Sequence, residues 1–397
     1  MCSFWQRGFD SANAGTGAEV QDVGLHPFKV NANFLLTRPG KGCGICAGNN
    51  ESNRSIHMKK FNVGIIGHGW VATAHIPAIN ATTHGRVSAV YSARKLDSKE
   101  LSARYGGQVK AYQDLDEMLA DPDIHAVSVC SYPYDHPKQV IAAARAGKHL
   151  IIEKPLSLNL ADLRAMEKAI KQAGVKTCVC FECRFSNQFT ATKAVIDEGL
   201  LGKLHYGEVD YYHGIGPWYG QFRWNTRKDA GGSSLLTAGC HALDALLLCM
   251  GPDVVEVTSY DTKSQSRIFA PYEYTTSSVT LLKFKNGSIG KCAAIVDCLQ
   301  PYYFHTHLVG SEGSLLDNRL HSMKLKTNKN AWSTLAMKML DSGDVSDHPY
   351  QAQFEAFFNA LDKGKEMPLT SFRDAARTHE VIFAADKSAR TGKSVRL

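Results

Sequence analysis

The stretch VGIIGHGWVATAHIPAI, residues 63–79, opens the first long apolar segment of the chain. An aliphatic run from Val63 to Ile66 gives way to Gly67, Gly69 and Ala72, a G-x-G-x-x-A spacing followed by a helical pattern. In a strand-to-helix turn of this kind the first glycine allows the tight bend and the second lets backbone approach a pyrophosphate. The small third residue lets helix and strand pack closely, with the helix N-terminus facing the phosphates. The same residues would also suit a glycine-rich strand packed tightly on its neighbours. The chain beyond Ile79 decides between the two.

Working outward, short apolar strands alternate with amphipathic stretches from Phe61 to about Cys180. Candidate strands are Asn62–Ile66, Val87–Tyr91, Ala126–Cys130, His149–Ile152 and Lys176–Cys180. Helical patterns lie between them at Leu115–Ala120, Pro137–Gly147 and Leu160–Gly174. In the last, Leu160, Leu163, Met166 and Ile170 share one face. This alternation predicts a parallel sheet with right-handed crossovers, a Rossmann dinucleotide-binding domain over residues 58–183. Its turn residues Gly67, His68, Gly69, Trp70 and Val71 are then the expected cofactor cradle.

After Arg184 the texture changes. A helical stretch, FTATKAVIDEGLLG, leads to a strand at Leu204–Tyr212, and an apolar helix covers Ser234–Met250. Strand-like segments follow at Val254–Tyr260, Ser277–Phe284, Ser288–Val296 and Tyr302–Val309, with Asn286-Gly287 as a hairpin signal. Helical patterns at Tyr350–Leu361 and Phe372–Ala389 close the chain. The fold class is therefore α/β, with a second α/β domain over residues 184–397 built on a mostly antiparallel sheet. Residues 1–57, rich in Gly, Asn and Ser and without a period, are expected to be a disordered extension or an upstream misassigned start. Their Cys43-Gly-Ile-Cys46 has zinc-ligand spacing but no second Cys/His pair nearby, so no metal is expected there.

Composition narrows the classes. The 397 residues are 44% hydrophobic and 21% charged. No apolar run approaches the roughly 18–20 residues of a membrane span, so no membrane partner is expected. The net charge of +7 is spread along the chain, which favours small anionic ligands over nucleic acid. Eleven cysteines, an odd number, sit mostly in apolar stretches and read as reduced core thiols of a cytoplasmic protein.

The end of the second strand distinguishes the cofactors. An acid here would accept hydrogen bonds from the ribose hydroxyls of NAD, but the chain reads AVYSARK, with Ser92 in the acid's place and Arg94 and Lys95 after it. Without a repelling carboxylate and with two cations to pair a 2′-phosphate, NADP is preferred to NAD. Otherwise Arg94 and Lys95 are solvated residues opening the next helix. Further on, HLIIEKPLSLN puts Glu153, Lys154 and Pro155 at the carboxyl end of a strand, where open α/β sheets bind ligands. An ammonium there can hold a substrate oxygen and stabilise charge developing on it.

With these residues in view, the chain resembles the Gfo/Idh/MocA family of oxidoreductases. The matching marks are GIIGHGWVATAHIPAI, EKPLSLN, FECRFSNQFTATKAVIDEGLLGKLHYGEV and RWNTRKDAGGSSLLTAGCHALDALLLCMG. They run in the family's order, from about residue 60 to the C-terminus. The resemblance implies a Rossmann domain followed by a domain with a large open sheet, through which homodimers or homotetramers form. It also implies hydride transfer between NAD(P) and a hydroxyl or carbonyl of a sugar, polyol or cyclitol. Carried over, the family's lysine is Lys154 and its histidine, in the helix after Gly231-Gly232, is His241. His241 would take the hydroxyl proton while Lys154 steadies the oxygen; on the bland reading it is a satisfied histidine of a buried helix. Asp244, one turn on, could orient the ring or serve packing.

One departure stands out. The family commonly has an aspartate four residues before the histidine, where this chain has Thr237. A threonine hydroxyl can hydrogen-bond a substrate but carries no charge. That keeps two alternatives open: a redox-assisted glycoside hydrolase and a non-catalytic dinucleotide-binding regulatory protein. Around the substrate, Tyr211, His213, Trp218, Arg223 and Trp224 offer aromatic faces and donors, while Arg184, Arg227 and Lys228 could bind an acidic group. Any one of them could equally belong to core or surface. His305 and His307 fall on one face of a strand but lack a third ligand in sequence, so no metal is expected there either.

Overall fold

The computed structural model describes residues 60–326 and 330–397. The chain divides into Met1–Ile56 and His57–Leu397, and the described elements all belong to the second unit. The expectations for residues 1–57, including Cys43 and Cys46, fall outside the described residues.

The first layer alternates strictly. Its elements are β1 (Phe61–Ile66), α1 (Ala72–Asn80), β2 (Gly85–Tyr91), α2 (Ser98–Tyr105), β3 (Lys110–Tyr112) and α3 (Leu115–Ala120). They are followed by β4 (Ala126–Val129), α4 (His136–Arg145), β5 (His149–Ile152), α5 (Leu160–Ala173) and β6 (Thr177–Val179). The strands form one parallel sheet in the order β3-β2-β1-β4-β5-β6. Covered on both faces, β4 is buried at all four positions, its one polar residue, Ser128, hydrogen-bonded to His75 Nδ1 at 2.9 Å. Strand order reverses between β1 and β4, and a crevice outside their carboxyl ends is where such sheets bind ligands. The helix signals are met in full at α5: the Asn159 side chain accepts from Asp162 N, and Gly174 closes the helix at φ 66°. The short β3 carried no readable period in the sequence.

The second layer begins with α6 (Asn187–Asp197), β7 (Leu204–Tyr212), α7 (Phe222–Asn225), α8 (Lys228–Gly231) and α9 (Cys240–Met250). Next come β8 (Val254–Thr262), β9 (Ser277–Phe284), β10 (Ile289–Ile295), β11 (Tyr303–Gly310), β12 (Gly313–Leu316), β13 (Arg319–Ser322) and β14 (Ser333–Thr334). Two helices, α10 (Tyr350–Asp362) and α11 (Phe372–Thr391), and β15 (Val395–Arg396) complete the described chain. The second sheet runs β14-β13-β12-β11-β7-β10-β9-β8-β15, antiparallel except for the central pair β7 and β10. Along β9 burial alternates, with Ser278, Thr280, Leu282 and Phe284 inward. Helices α9 and α11 pack against β7, β10 and β8.

Two features depart from the sequence reading. The apolar helix expected over Ser234–Met250 is interrupted: Leu235–Gly239 is a π turn, and regular α-helix begins at Cys240. Single π turns of this kind gather at functional sites. Gly239 lets the turn lie against β10, since a Cβ there would come within 2.3 Å of the Ala294 Cβ. The stretch Lys228–Met250 is long and apolar enough to cross a membrane, but its most apolar window is 89% buried and serves as core.

The second departure is α10. Its phenylalanines Phe354, Phe357 and Phe358 pack with Val63, Ile76 and Ile79 of the first layer, so a C-terminal helix completes the Rossmann core. Phe358 stacks on Phe61 with ring centroids 6.1 Å apart. The eight described cysteines are free thiols, and seven of them are buried.

Candidate active site

A cavity of about 680 Å³ lies at the carboxyl ends of β1, β2, β4 and β5, closed on its far side by the second layer. At one end is the glycine turn. Gly67 sits at φ 94° and donates from its N–H to the Tyr91 carbonyl at 2.9 Å. A Cβ on it would meet the backbone of Ser131 at 3.0 Å, so the strand ends could not stay this close with any other residue. At Gly69 no atom lies within 4 Å of where a Cβ would stand, and the residue borders the cavity. The turn therefore leaves open backbone for a ligand, as a dinucleotide's pyrophosphate requires. His68, Trp70, Val71, Ser92 and Arg94 line the same end. Lys95 lies just outside, in an adjoining hollow with Arg94 and Arg104.

At the other end stands Lys154, joined to Pro155 by a cis peptide bond. Its neighbour Glu153 is buried and fixed: Oε1 accepts from His75 Nε2 at 2.8 Å and from the Tyr350 hydroxyl at 3.1 Å, while Oε2 accepts from Lys154 N. Glu153 is thus held fast at the cavity wall while the lysine side chain runs on to the second layer. There Lys154 Nζ donates to the Thr237 carbonyl oxygen at 3.1 Å. Burial opposes its charge, but the acidic groups Cys240, Glu153 and Glu182 more than offset this and raise its pKa above the ordinary lysine value.

The π turn presents Thr237 to the cavity, and His241 follows one turn later. The Thr237 hydroxyl donates to Asn225 Oδ1 at 2.5 Å, so it is already engaged within the fold. His241 is nearly enclosed. Burial lowers its pKa to about 4 against the opposing pull of Glu182, which keeps the imidazole neutral at cellular pH. Its Nδ1 lies 3.7 Å from Cys183 Sγ and its Nε2 3.8 Å from Glu182 Oε1.

The remaining predicted residues divide. Tyr211 and Trp224 line the cavity, and Trp224 meets Tyr132 edge-on at 5.6 Å. His213 stands behind Tyr211, its Nδ1 hydrogen-bonded to the Tyr211 hydroxyl at 2.8 Å. Arg184 is corrected: its guanidinium is paired with both oxygens of Asp244, at 2.6 and 2.7 Å, and donates to the Leu369 carbonyl. That same pairing removes Asp244 as an orienter of His241. Trp218 is also corrected, being 62% exposed with its indole N–H on the Gly214 carbonyl. Arg223 is exposed outside the cavity, and Arg227 pairs with Asp229. His305 and His307 do gain a third neighbour, Glu208, placed opposite His307 by strand register. Its carboxylate, however, is engaged by Lys291, and His305 lies 3.3 Å from Asp317.

Sequence reasoning missed Glu182, Tyr219, Tyr302 and His348, all of which line the cavity. Glu182 follows β6, and the rule that singled out Lys154, a charged residue at a strand's carboxyl end, would have found it. Tyr219 meets Trp70 of the glycine turn edge-on at 5.5 Å, linking the two layers across the cavity.

Comparison with known proteins agrees with this fold. Residues 61–181 match the family described as "Oxidoreductase family, NAD-binding Rossmann fold", and residues 189–316 match the "GFO/IDH/MocA C-terminal domain". A myo-inositol 2-dehydrogenase of Thermotoga maritima is 26% identical over 85% of this chain and 98% of its own. A 1,5-anhydro-D-fructose reductase of Ensifer adhaerens is 27% identical over 84% of this chain and 98% of its own. The solved structure of a levoglucosan dehydrogenase with NADH and levoglucosan shares the fold, with a TM-score of 0.74 at 22% identity over 85% of this chain and 99% of that one. The matched segments span well over half of the chain, which belongs to the Gfo/Idh/MocA family of NAD(P)-dependent oxidoreductases.

Proposed function

We propose that this protein is an NADP-preferring dehydrogenase or reductase of a sugar, polyol or cyclitol, with Lys154 and His241 at the reacting oxygen. The observation that carries the reading is the convergence of those two side chains, from different layers, on one cavity that ends in the glycine turn. Gly67 to Val71 would hold the pyrophosphate of the dinucleotide. When bound, its nicotinamide supplies the hydride acceptor or donor. Neutral His241 takes a proton from the substrate hydroxyl during oxidation and returns it during reduction. The Lys154 ammonium, anchored on the Thr237 carbonyl, stabilises negative charge on that oxygen. Tyr211, Tyr219, Tyr302 and Trp224 provide faces for a sugar ring and hydroxyl partners.

The NADP preference rests on the other end of the cavity. Ser92 is buried where an acid would stand, its hydroxyl accepting from Arg94 N at 3.2 Å. Arg94, Lys95 and Arg104 surround the adjoining hollow with cations, a setting for a 2′-phosphate. The open face of the second sheet, where exposed Val279, Leu281 and Ile289 adjoin, supports a homodimer or homotetramer through that face. Buried free thiols fit a reducing cytoplasm. The reading is tested with a panel of sugars, uronic acids, cyclitols and glycosides offered with each dinucleotide, following reduced nicotinamide and products together. Net reduction of NADP with a free polyol supports it. Glycoside cleavage without net reduction would replace it with redox-assisted hydrolysis.

A further inference from the structure

Glu182 is anomalous. It is 1% exposed, borders the catalytic cavity, and its Oε2 has no hydrogen-bond partner among the described residues. Its other oxygen lies 3.8 Å from His241 Nε2 and 3.2 Å from His348 Nδ1. A buried carboxylate oxygen without a partner is costly and calls for a reason. Of the other acids bordering the cavity, Glu153 is fully bonded to His75, Tyr350 and the Lys154 N–H. Glu182 therefore supplies negative charge beside His241, where Thr237 supplies none.

His348 continues the line outward. It is 14% exposed and borders both the catalytic cavity and a second, outer hollow of about 130 Å³. Three groups thus lead from the reacting end of the pocket toward solvent. Resting on the dehydrogenase reading above, we propose that Glu182 and His348 are positioning residues for proton transfer. Glu182 stabilises the imidazolium formed when His241 takes the hydroxyl proton, and His348 passes that proton to the outer hollow. The substrate O–H bond breaks and an N–H bond forms at His241. The His241 Nε2–H bond then breaks as an O–H bond forms at Glu182 Oε1, that O–H breaks as His348 Nδ1 is protonated, and the proton on His348 Nε2 goes to water, leaving Glu182 ionised and both rings neutral. The two electrons leave separately with the hydride, so the path through the three residues carries protons only.

The directions of titration agree. Burial would suppress protonation of His348, but its contact with Glu182 outweighs this and raises its pKa, while burial of Glu182 is outweighed by His241 and His348, lowering it to about 2. The other charged groups facing the three are Lys154 and Glu153 from the end of β5, and Asp344 and Asp347 beside His348. Nearby thiols and phenols, Cys183, Cys240, Tyr219 and Tyr350, are kept neutral by burial.

The test is Glu182→Gln, which keeps size and removes charge. Histidine ring titrations by nitrogen NMR on the dinucleotide-loaded protein, without substrate, should show the midpoints of both His241 and His348 falling. With a substrate, kcat should fall about 100-fold, the low end of general acid–base contributions, with KM within a few-fold and partial recovery in Glu182→Asp. His348→Gln should instead raise the His241 midpoint, by removing a like charge, and serves also if Glu182→Gln fails to fold. Unchanged midpoints in these variants would overturn the proposal, as would an unchanged kcat. If the wild-type protein turns over no sugar or polyol, the dehydrogenase reading fails, while the histidine titrations still decide the role of Glu182.

Discussion

Lys154 reaches from the carboxyl end of β5 in the first layer to the carbonyl oxygen of Thr237 in the second layer, 3.1 Å away. One hydrogen bond thus fixes the ammonium relative to the helix that carries His241, across the two layers. Substituting Lys154→Ala removes the charge proposed to steady the reacting oxygen but touches neither the glycine turn nor Arg94. Turnover should drop by about 100-fold or more. Dinucleotide affinity, measured by fluorescence titration, should stay within a few-fold, and near-normal turnover would remove Lys154 from the mechanism.

The cationic hollow makes a separable claim. Arg94 borders both the main cavity and the hollow it shares with Lys95 and Arg104, and its guanidinium donates to the His68 carbonyl at 2.6 Å. Losing a charge-assisted contact to a phosphate weakens binding by about 1.5–3 kcal/mol. Arg94→Ala should therefore raise the Kd for NADP roughly tenfold to a hundredfold, with a much smaller change for NAD. Equal losses for both would place the 2′-phosphate elsewhere.

What the sequence revealed depended on whether a residue acts locally. Gly67 is dictated by the bend it occupies, Gly69 follows it in a recognisable spacing, and Lys154 has its place at a strand's end, so all three can be read from neighbours in sequence. His241 was legible through family resemblance, and its surroundings were not. Glu182 and His348 meet across 166 positions of chain, and nothing near His348 marks it as part of a pocket. Arg184 looked like an anion-binding side chain because its partner Asp244 sits 60 residues away on another element. The phenylalanines of α10 announced an apolar face but not that the face would close the first layer.

That Arg184–Asp244 pair yields a stability prediction. Its side chains are 10% and 1% exposed, and Asp244 also accepts from the Thr378 hydroxyl. Burial raises the Asp244 pKa despite the guanidinium beside it. Arg184→Met would leave a buried carboxylate facing an apolar chain, and breaking such a pair destabilises by about 3–5 kcal/mol. Denaturant unfolding should record that loss. The ratio of kcat/KM for acidic over neutral sugars should not change, since Arg184 does not border the cavity.

The outer face of the second sheet offers a test of assembly. Val279, Leu281 and Ile289 are 38%, 51% and 54% exposed on adjoining strands. Apolar side chains grouped in this way mark an association surface. The wild-type protein should run as a dimer or larger in light scattering, and Leu281→Lys combined with Ile289→Lys should shift it to monomer. A monomeric wild type would leave that face without a partner copy.

Acid should weaken the fold through its buried histidines. His379 links α11 to the first layer: its Nε2 accepts from Leu156 N at 2.9 Å, and its Nδ1 lies 2.7 Å from the Ala375 carbonyl. That arrangement needs a neutral ring with the proton on Nδ1, and burial lowers its pKa to about 4 from an ordinary 6.5. The unfolded chain therefore binds a proton below pH 6.5 that the native ring refuses until about pH 4. The stability due to this group is whole above pH 6.5 and is lost as pH falls from there toward 4. By linkage the loss reaches roughly 2 kcal/mol at pH 5. Urea unfolding of the wild type and of His379→Gln should differ in slope over that interval, the variant showing the flatter dependence. Identical slopes would mean that the ring is protonated in the native protein and that the Leu156 contact is not made as described.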